Sequence, residues 1–154
     1  KDGWEYHSLE SKVIQIKSEK NELEYAVAGG LIALQLEIDP GLTTQDKMAG
    51  NLLVVDETDT HVYDKLLVNF QLLKINNHNL DIAENDDILI NVNSRNIIAV
   101  VEKLGNKQML LTMKSSPACG KIGDVLTISK QTKQTGPRLM GRGSIRKGVE
   151  SKKF

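Results

Sequence analysis

Apolar and polar residues alternate with a period of two along much of the chain. Alternation over 4–8 residues predicts a strand with one buried face. The alternating apolar positions are Leu23, Tyr25 and Val27, then Ile32, Leu34, Leu36 and Ile38, then Ile88, Ile90 and Val92, and finally Met109, Leu111 and Met113. Residues 66–75 and 96–101 are apolar on both faces, and their Val and Ile content favours central strands over short buried helices. Because no segment keeps a helical period, the sequence predicts an all-β protein.

Turn residues separate these strands at short intervals, which is typical of a small barrel or sandwich. The stretch VEKLGNKQMLL (101–111) predicts a hairpin with Gly105 and Asn106 at positive φ at its tip. The polar segment 56–61 lies between two sets of strands, so we predict one domain over residues 1–57 and a second over 58–154. Residues 1–57 supply only about four strands, few for a closed barrel. We therefore expect two small antiparallel β-barrels, the first of them incomplete.

Charge is divided unevenly between these two parts, although the chain as a whole carries 20 basic and 20 acidic side chains. Residues 1–57 hold 5 basic and 11 acidic side chains, and residues 58–154 hold 15 and 9. The basic excess is greatest at the end, where residues 130–154 contain eight Lys or Arg against Glu150 alone. This asymmetry favours two modules with different surroundings.

Three arginines in the basic segment, Arg138, Arg142 and Arg146, recur every four residues and would share one face of an extended edge strand. Two interpretations are equally open. Together with Lys147 they could contact RNA phosphates, or they could form a solvated basic edge that discourages aggregation. The aromatic content of 4% argues against a platform on which bases stack.

Signatures of catalysis and metal binding are absent from the sequence. It contains no G-x-x-x-x-G-K-[ST], G-x-S-x-G, H-E-x-x-H or paired C-x-x-C motif. The three histidines, His7, His61 and His78, are scattered in polar contexts, which favours exposed loops over metal ligands. Cys119 lies near Lys121 with no candidate base beside it, so a cysteine enzyme is the least favoured class. A single cysteine fits a reducing compartment, and the lack of a long apolar run predicts no membrane span.

The stretch AGGLIALQLEIDPGLTTQDKMAGNLL (28–53) combines a double glycine, an alternating strand and an Asp-Pro-Gly corner. From physical chemistry alone, a hairpin strand framed by turns is favoured over a ligand site. Three motifs in order nevertheless resemble the gamma subunit of eukaryotic and archaeal translation initiation factor two. They are GGLIALQLEIDPGLTTQDKMAG (29–50), SSPACGKIGDVLTISKQ (115–131) and RLMGRGSIRKG (138–148). The chain departs from the family pattern at several positions. Ala33 and Gln35 stand where the family often has glycines, an arginine common before the motif's aspartate is replaced in TTQDK (43–47), and Arg142 stands in place of the closing tryptophan.

The resemblance implies an elongation-factor-Tu-like architecture, in which a GTP-binding domain precedes two β-barrels. This chain would be the later part of domain two followed by domain three. It would hold no cofactor and would not itself be catalytic, because GTP and Mg²⁺ belong to the nucleotide-binding domain. Carried over by position, Gln15, Leu31, Ile32, Ala33 and Leu34 would face the aminoacyl end of the tRNA.

The partners implied by the resemblance are initiator tRNA, the alpha and beta subunits of the factor, the small ribosomal subunit and an assembly chaperone on domain three. The implied location is the cytoplasm, with no membrane contact. Two alternatives stay open. One is another tRNA-carrying factor of the elongation-factor-like superfamily, and the other is a stand-alone β-barrel module for protein interaction.

Overall fold

The computed structural model describes residues 4–27, 30–55, 60–73, 82–132 and 136–153. Within these ranges the chain forms twelve β-strands and two short 3-10 turns, and no α-helix. The strands are β1 (Glu5–Tyr6), β2 (Val13–Ser18), β3 (Asn21–Leu23), β4 (Ala33–Leu36), β5 (His61–Leu72), β6 (Asp87–Val92), β7 (Arg95–Leu104), β8 (Gln108–Met113), β9 (Ala118–Gly120), β10 (Val125–Thr132), β11 (Gly136–Glu150) and β12 (Lys152–Lys153). The predicted all-β class is confirmed. None of the described helical segments is long and apolar enough to span a bilayer.

Six strands close into a barrel in the order β11, β10, β6, β7, β8 and β5. The barrel closes because the long strand β5 pairs with β8 on one side and with β11 on the other. The alternation predicted for β8 is confirmed, since Met109, Leu111 and Met113 are buried while the residues between them are not. The apolar side chains of the buried core belong to these six strands, to Ala118 of β9, which pairs with β5, and to Ile82 before β6.

The described residues of His7–Ala49 form a separate compact unit, and the barrel, with residues 4–6 and 50–55, forms the other. The smaller unit contains a three-stranded antiparallel sheet in the order β3, β2, β4. None of its described residues is fully buried. Three strands without a closed core agree with the prediction that the first barrel is incomplete. The predicted boundary between residues 57 and 58 lies outside the described residues.

Strand β11 differs from the predicted edge strand, because it is paired on both sides and completes the barrel. A register shift against β10 leaves Met140 as an extra residue between Leu139 and Gly141. Such a bulge reverses the alternation of side chains along the strand. The expectation that Arg138 and Arg142 share one face is therefore wrong, because the bulge lies between them.

Close strand contacts explain two glycines of the RLMGRGSIRKG motif. A Cβ atom at Gly148 would lie 2.1 Å from Cδ1 of Tyr63, and one at Gly143 would lie 2.4 Å from Cγ1 of Val68. Both partners are buried on β5. Only glycine lets β11 approach β5 this closely, so this part of the motif is required by barrel closure.

The predicted hairpin between β7 and β8 is confirmed, with Gly105 N donating to Gln108 O at 2.8 Å. Its predicted tip geometry is wrong, because neither Gly105 nor Asn106 has a positive φ. Left-handed residues occur instead in the turn between β6 and β7, at Asn93 (φ 46°) and Ser94 (φ 69°). Two successive left-handed residues are the geometry that matches the twist of a tight hairpin.

The two ends of the described chain lie side by side. Strands β1 and β12 form a parallel pair, with Glu5 opposite Lys152. The carboxylate of Asp64 accepts hydrogen bonds from the Trp4 N–H at 3.2 Å and from the Ser151 hydroxyl. Ser151 is the one polar residue among those described that is fully buried. A carboxylate on barrel strand β5 thus fixes both short terminal strands.

Candidate functional site

A pocket of about 480 Å³ lies in the smaller unit, His7–Ala49, beside strands β2 and β4. It is lined by two strands and by the turn that follows β4. The lining residues are Gln15, Lys17, Ala33, Leu34, Gln35, Leu36, Ile38, Pro40 and Thr43.

The polar part of the lining comes from cross-strand pairs. Gln15 lies directly opposite Gln35, and Lys17 lies opposite Ala33. Residues that face each other across two antiparallel strands have Cβ atoms about 5 Å apart, and alternate positions share a face. These four residues therefore form one patch on one face of the sheet. Just before Gln15, a register shift between β2 and β4 leaves Ile14 as an extra residue on β2.

Strand β4 is one of the two edge strands of the three-stranded sheet within the described residues. Leu34, Leu36 and Ile38 alternate with the polar patch along this strand and its continuation, yet they also line the pocket. This arrangement is possible at a sheet edge, where side chains of both faces border the same space. An edge strand also presents unpaired backbone N–H and C=O groups.

The turn after β4 supplies the remaining wall and is held by local hydrogen bonds. Oδ1 of Asp39 accepts from the Gly41 N–H at 2.8 Å. The Thr43 hydroxyl donates to Pro40 O at 3.0 Å, and the Lys47 ammonium donates to Gly41 O at 3.1 Å. In turns of this kind, an aspartate side chain accepts a hydrogen bond from the backbone N–H two residues later and stabilises the turn. The DPGLTTQDK part of the resemblance thus builds a fixed wall beside the pocket.

The pocket combines an apolar wall with amide and ammonium groups. Leu34, Leu36 and Ile38 provide aliphatic surface, while Gln15 and Lys17 provide hydrogen-bond donors. Such a lining can hold an apolar group next to a polar or anionic one. The methyl side chain of Ala33 leaves space that a larger residue would fill.

Three of the five residues predicted from the resemblance line this pocket: Gln15, Ala33 and Leu34. Leu31 and Ile32 do not line it, and Leu31 is 90% exposed. The sequence prediction did not include Lys17, Leu36, Ile38, Pro40 or Thr43. Lys17 could have been found, because alternation places it on the same face as Gln15 two residues earlier.

The four predicted basic contacts are not gathered on one face. Arg142 and Arg146 are exposed on β11, whereas Arg138 is half-buried and lies in the same phase as the buried Met140. Lys147 follows a second register shift on β11 and lies opposite Leu67 of β5. Arg142 and Arg146 therefore form an exposed basic pair in one phase of β11, and Lys147 is exposed next to Arg146 beyond the register shift.

The remaining candidate chemical groups are held in structural contacts. Cys119 lies half-buried on β9, and burial raises the pKa of its thiol above the usual range. His61 opens β5, contrary to the loop expected from its polar context, and its Nδ1 lies 3.2 Å from Glu150 Oε1. His78 lies outside the described residues. In the described part of the chain no three His, Cys, Asp or Glu side chains are grouped as metal ligands would be.

Comparison with known proteins gives consistent matches over most of the chain, although no protein-family model matches it. Translation initiation factor 2 subunit gamma of Thermococcus onnurineus is 28% identical over 151 residues, which is 92% of this chain and 35% of that protein. Eukaryotic translation initiation factor 2 subunit gamma of Schizosaccharomyces pombe is 29% identical over 150 residues, or 90% of this chain and 33% of that protein. The chain thus spans about a third of the length of these relatives.

The fold has a match among solved structures. Translation elongation factor SelB from Methanococcus maripaludis, in its apo form, superposes with a TM-score of 0.67 at 19% identity. The match covers 90% of this chain and 33% of that one. At this identity the match concerns the fold, and it confirms the predicted elongation-factor-like barrels. The resemblance seen in the three motifs is confirmed as well: over nine-tenths of its length the chain is similar to the gamma subunit of translation initiation factor two.

Proposed function

We propose that this chain is the non-catalytic, tRNA-binding part of a translation initiation factor gamma subunit. In this proposal residues 1–57 are the later part of domain two and residues 58–154 are domain three. GTP and Mg²⁺ would bind a nucleotide-binding domain elsewhere in the same protein, and the factor would act in the cytoplasm. The alpha and beta subunits, the small ribosomal subunit and an assembly chaperone on domain three are its proposed partners.

One observation carries the proposal: Gln15, Ala33 and Leu34, assigned by resemblance to the aminoacyl end of initiator tRNA, line a single pocket. The chemistry of the lining suits a methionyl ester. Leu34 and Leu36 would contact the thioether side chain, and the Gln15 amide would bond the ester or the amino group. The Lys17 ammonium would attract the terminal phosphate of the tRNA.

The test is binding of initiator methionyl-tRNA to the intact factor carrying Ala33→Leu. Overfilling a fitted site costs about 1–3 kcal/mol, so affinity should fall about fivefold or more. Ala83→Leu is the matched control, because Ala83 is an exposed alanine of the barrel and its enlargement should leave binding unchanged.

Uncharged initiator tRNA distinguishes a pocket for the aminoacyl group from a general effect on the fold. Ala33→Leu should weaken binding of the charged tRNA and leave binding of the uncharged tRNA at the level of the unaltered factor. Equal loss for both tRNAs would contradict the assignment of the pocket, and unchanged binding of both would do so as well.

Phosphate contact by Arg142 and Arg146 is the second part of the proposal, supported by their common exposure on β11. Each phosphate contact steepens the salt dependence of binding by about one unit in a plot of log affinity against log salt. Arg142→Gln with Arg146→Gln should reduce that slope by about two. Arg138→Gln is the control, because Arg138 lies in the opposite phase, and it should leave the slope unchanged. A stand-alone protein-interaction module would show no RNA binding at low salt.

A further inference from the structure

A second pocket, of about 550 Å³, lies on the outside of the closed barrel and shares no lining residue with the pocket of the smaller unit. Its lining comes from strands β5, β7, β8 and β11, which are consecutive neighbours in the barrel, and from Glu84 and Gly105. Its floor is apolar and its rim is basic.

The register of the four strands places one continuous row of side chains across this face. Lys103 of β7 lies opposite Leu110 of β8, Leu110 lies opposite Leu67 of β5, and Leu67 lies opposite Lys147 of β11. Two leucines thus occupy the centre of the row and a lysine stands at each end. We name this set the Lys-Leu-Leu-Lys row.

All four side chains of the row point away from the core. Leu67 lies between the buried residues Leu66 and Val68, and Leu110 lies between Met109 and Leu111, which are also buried. Because alternate residues of a strand face opposite sides, Leu67 and Leu110 face outward. Lys103 and Lys147 are exposed.

The two end lysines differ from the other charges at this pocket, which are already engaged. Lys65 Nζ lies 2.8 Å from Glu102 Oε2, and Glu84 Oε1 accepts from the Leu104 N–H at 3.0 Å. Neither Lys103 nor Lys147 forms an ion pair with another described residue. Their charge is therefore available to an acidic partner at both ends of an apolar floor.

We propose that the Lys-Leu-Leu-Lys row binds an extended protein segment of the pattern acidic-x-apolar-x-acidic. Neighbouring strands are about 4.8 Å apart, so the two lysines stand about 14 Å apart across three strand spacings. An extended chain rises about 3.3 Å per residue, so its positions i and i+4 are about 13 Å apart and share a face with position i+2. The segment would cross the strands, seat its central apolar side chain on Leu67 and Leu110, and pair each acidic side chain with one lysine.

The test is fluorescence anisotropy of a labelled peptide, Ser-Glu-Ser-Leu-Ser-Glu-Ser, titrated with this chain at low salt. A peptide of the same composition with both Glu residues adjacent is the matched control and should bind several-fold more weakly. Lys103→Glu combined with Lys147→Glu should weaken binding of the first peptide about tenfold or more, because repulsion replaces attraction at both ends. Lys121→Glu, at an exposed lysine of the turn before β10, should leave binding unchanged.

A second measurement does not depend on variants. Amide chemical shifts recorded during titration with the same peptide should change at Leu67, Leu110 and Lys147. They should not change on β6 and β10, the barrel strands that do not line this pocket. Equal binding of the two peptides, or shift changes confined to another face, would overturn the proposal. A third outcome would also overturn it: the peptide does not bind, but a 20-nucleotide oligouridine binds and the double charge reversal abolishes that binding. The face would then recognise phosphate.

Discussion

The amide nitrogen Nδ2 of Asn93 lies 2.9 Å from Oδ2 of Asp124 and joins two turns that are 31 residues apart. The same Nδ2 donates to Cys119 O at 3.3 Å, and the same Oδ2 accepts from the Lys121 N–H at 3.0 Å. A Cβ atom at Gly120 would lie 2.9 Å from this carboxylate oxygen. The SSPACGKIGD part of the resemblance is therefore a structural junction of the barrel.

Asn93→Ala should lower the free energy of unfolding by about 2 kcal/mol. The substitution removes two partly buried hydrogen bonds, leaves Asp124 with fewer partners and puts alanine at a left-handed φ. Urea unfolding followed by circular dichroism would measure it. Asn106→Ala, at an exposed asparagine without a left-handed φ, is the control and should change stability by less than about 0.5 kcal/mol. Equal effects of the two substitutions would contradict the role given to this junction.

Gly148→Ala should destabilise the barrel by about 3 kcal/mol or prevent its folding. The new methyl group would lie 2.1 Å from the Tyr63 ring, which is buried and cannot move aside without disturbing the core. Gly123→Ala separates this clash from backbone strain, because Gly123 has φ +95° and nothing within 4 Å of the added carbon. In thermal unfolding, Gly148→Ala should lower stability by much more than Gly123→Ala, for which we expect a loss of about 1 kcal/mol. The reverse order would show that β11 and β5 are not in close contact.

The pair formed by Asp86 and Lys130 should make stability depend on pH in the acid range. The ammonium of Lys130 lies 2.6 Å from Oδ2 of Asp86, and this hydrogen bond, together with one from the Ala83 N–H, lowers the pKa of Asp86 in the folded state. A group whose pKa is lowered by folding contributes fully to the free energy of unfolding at pH values above its unfolded pKa, which for Asp86 is near the ordinary value of 3.8. This contribution to stability is lost as the pH falls through the lower pKa of the folded state.

Asp86→Asn should therefore lower the free energy of unfolding by about 1 kcal/mol at pH 7, and by progressively less below pH about 4. Urea unfolding of both proteins at several pH values gives the difference. In a Lys130→Gln background the same substitution should cost less and should show a weaker pH dependence. A cost that stays constant from pH 7 to pH 2 would refute the linkage.

Sequence periodicity predicted β6 and β8 because the barrel buries one face of each. The same pattern was wrong for Tyr25 and Val27, which are exposed and follow β3 without belonging to a strand. Met109, Leu111 and Met113 alternate in the sequence and are buried as expected. It could not predict the register shift at Met140, since one extra residue in a strand leaves no compositional signature and depends on how β10 and β11 pair. The spacing of Arg138 and Arg142 is regular in sequence, but their faces differ because of that shift.

The sequence predicted the strand residues of the pocket beside β4, but not the residues that the following turn contributes. Gln15 and Ala33 were named from the resemblance, and alternation extends the same face to Lys17. Thr43 and Pro40 reach the pocket only because the turn after β4 folds back beside the edge strand, held by the bond from the Gly41 N–H to Asp39. A turn of this kind is recognisable in a sequence, but its direction relative to a sheet is set by tertiary packing.

The thiol of Cys119 should react slowly in the folded chain. Burial raises its pKa, and although the nearby Arg95 lowers it, burial is the larger effect. Because the thiolate is the reactive species, labelling by a disulfide reagent at pH 7.5 should be more than about tenfold slower than for a free thiol such as glutathione. Urea should abolish the difference by exposing the side chain. Labelling as fast in the folded state as in urea would contradict this protection, and a rate above that of glutathione would restore the cysteine enzyme as a candidate.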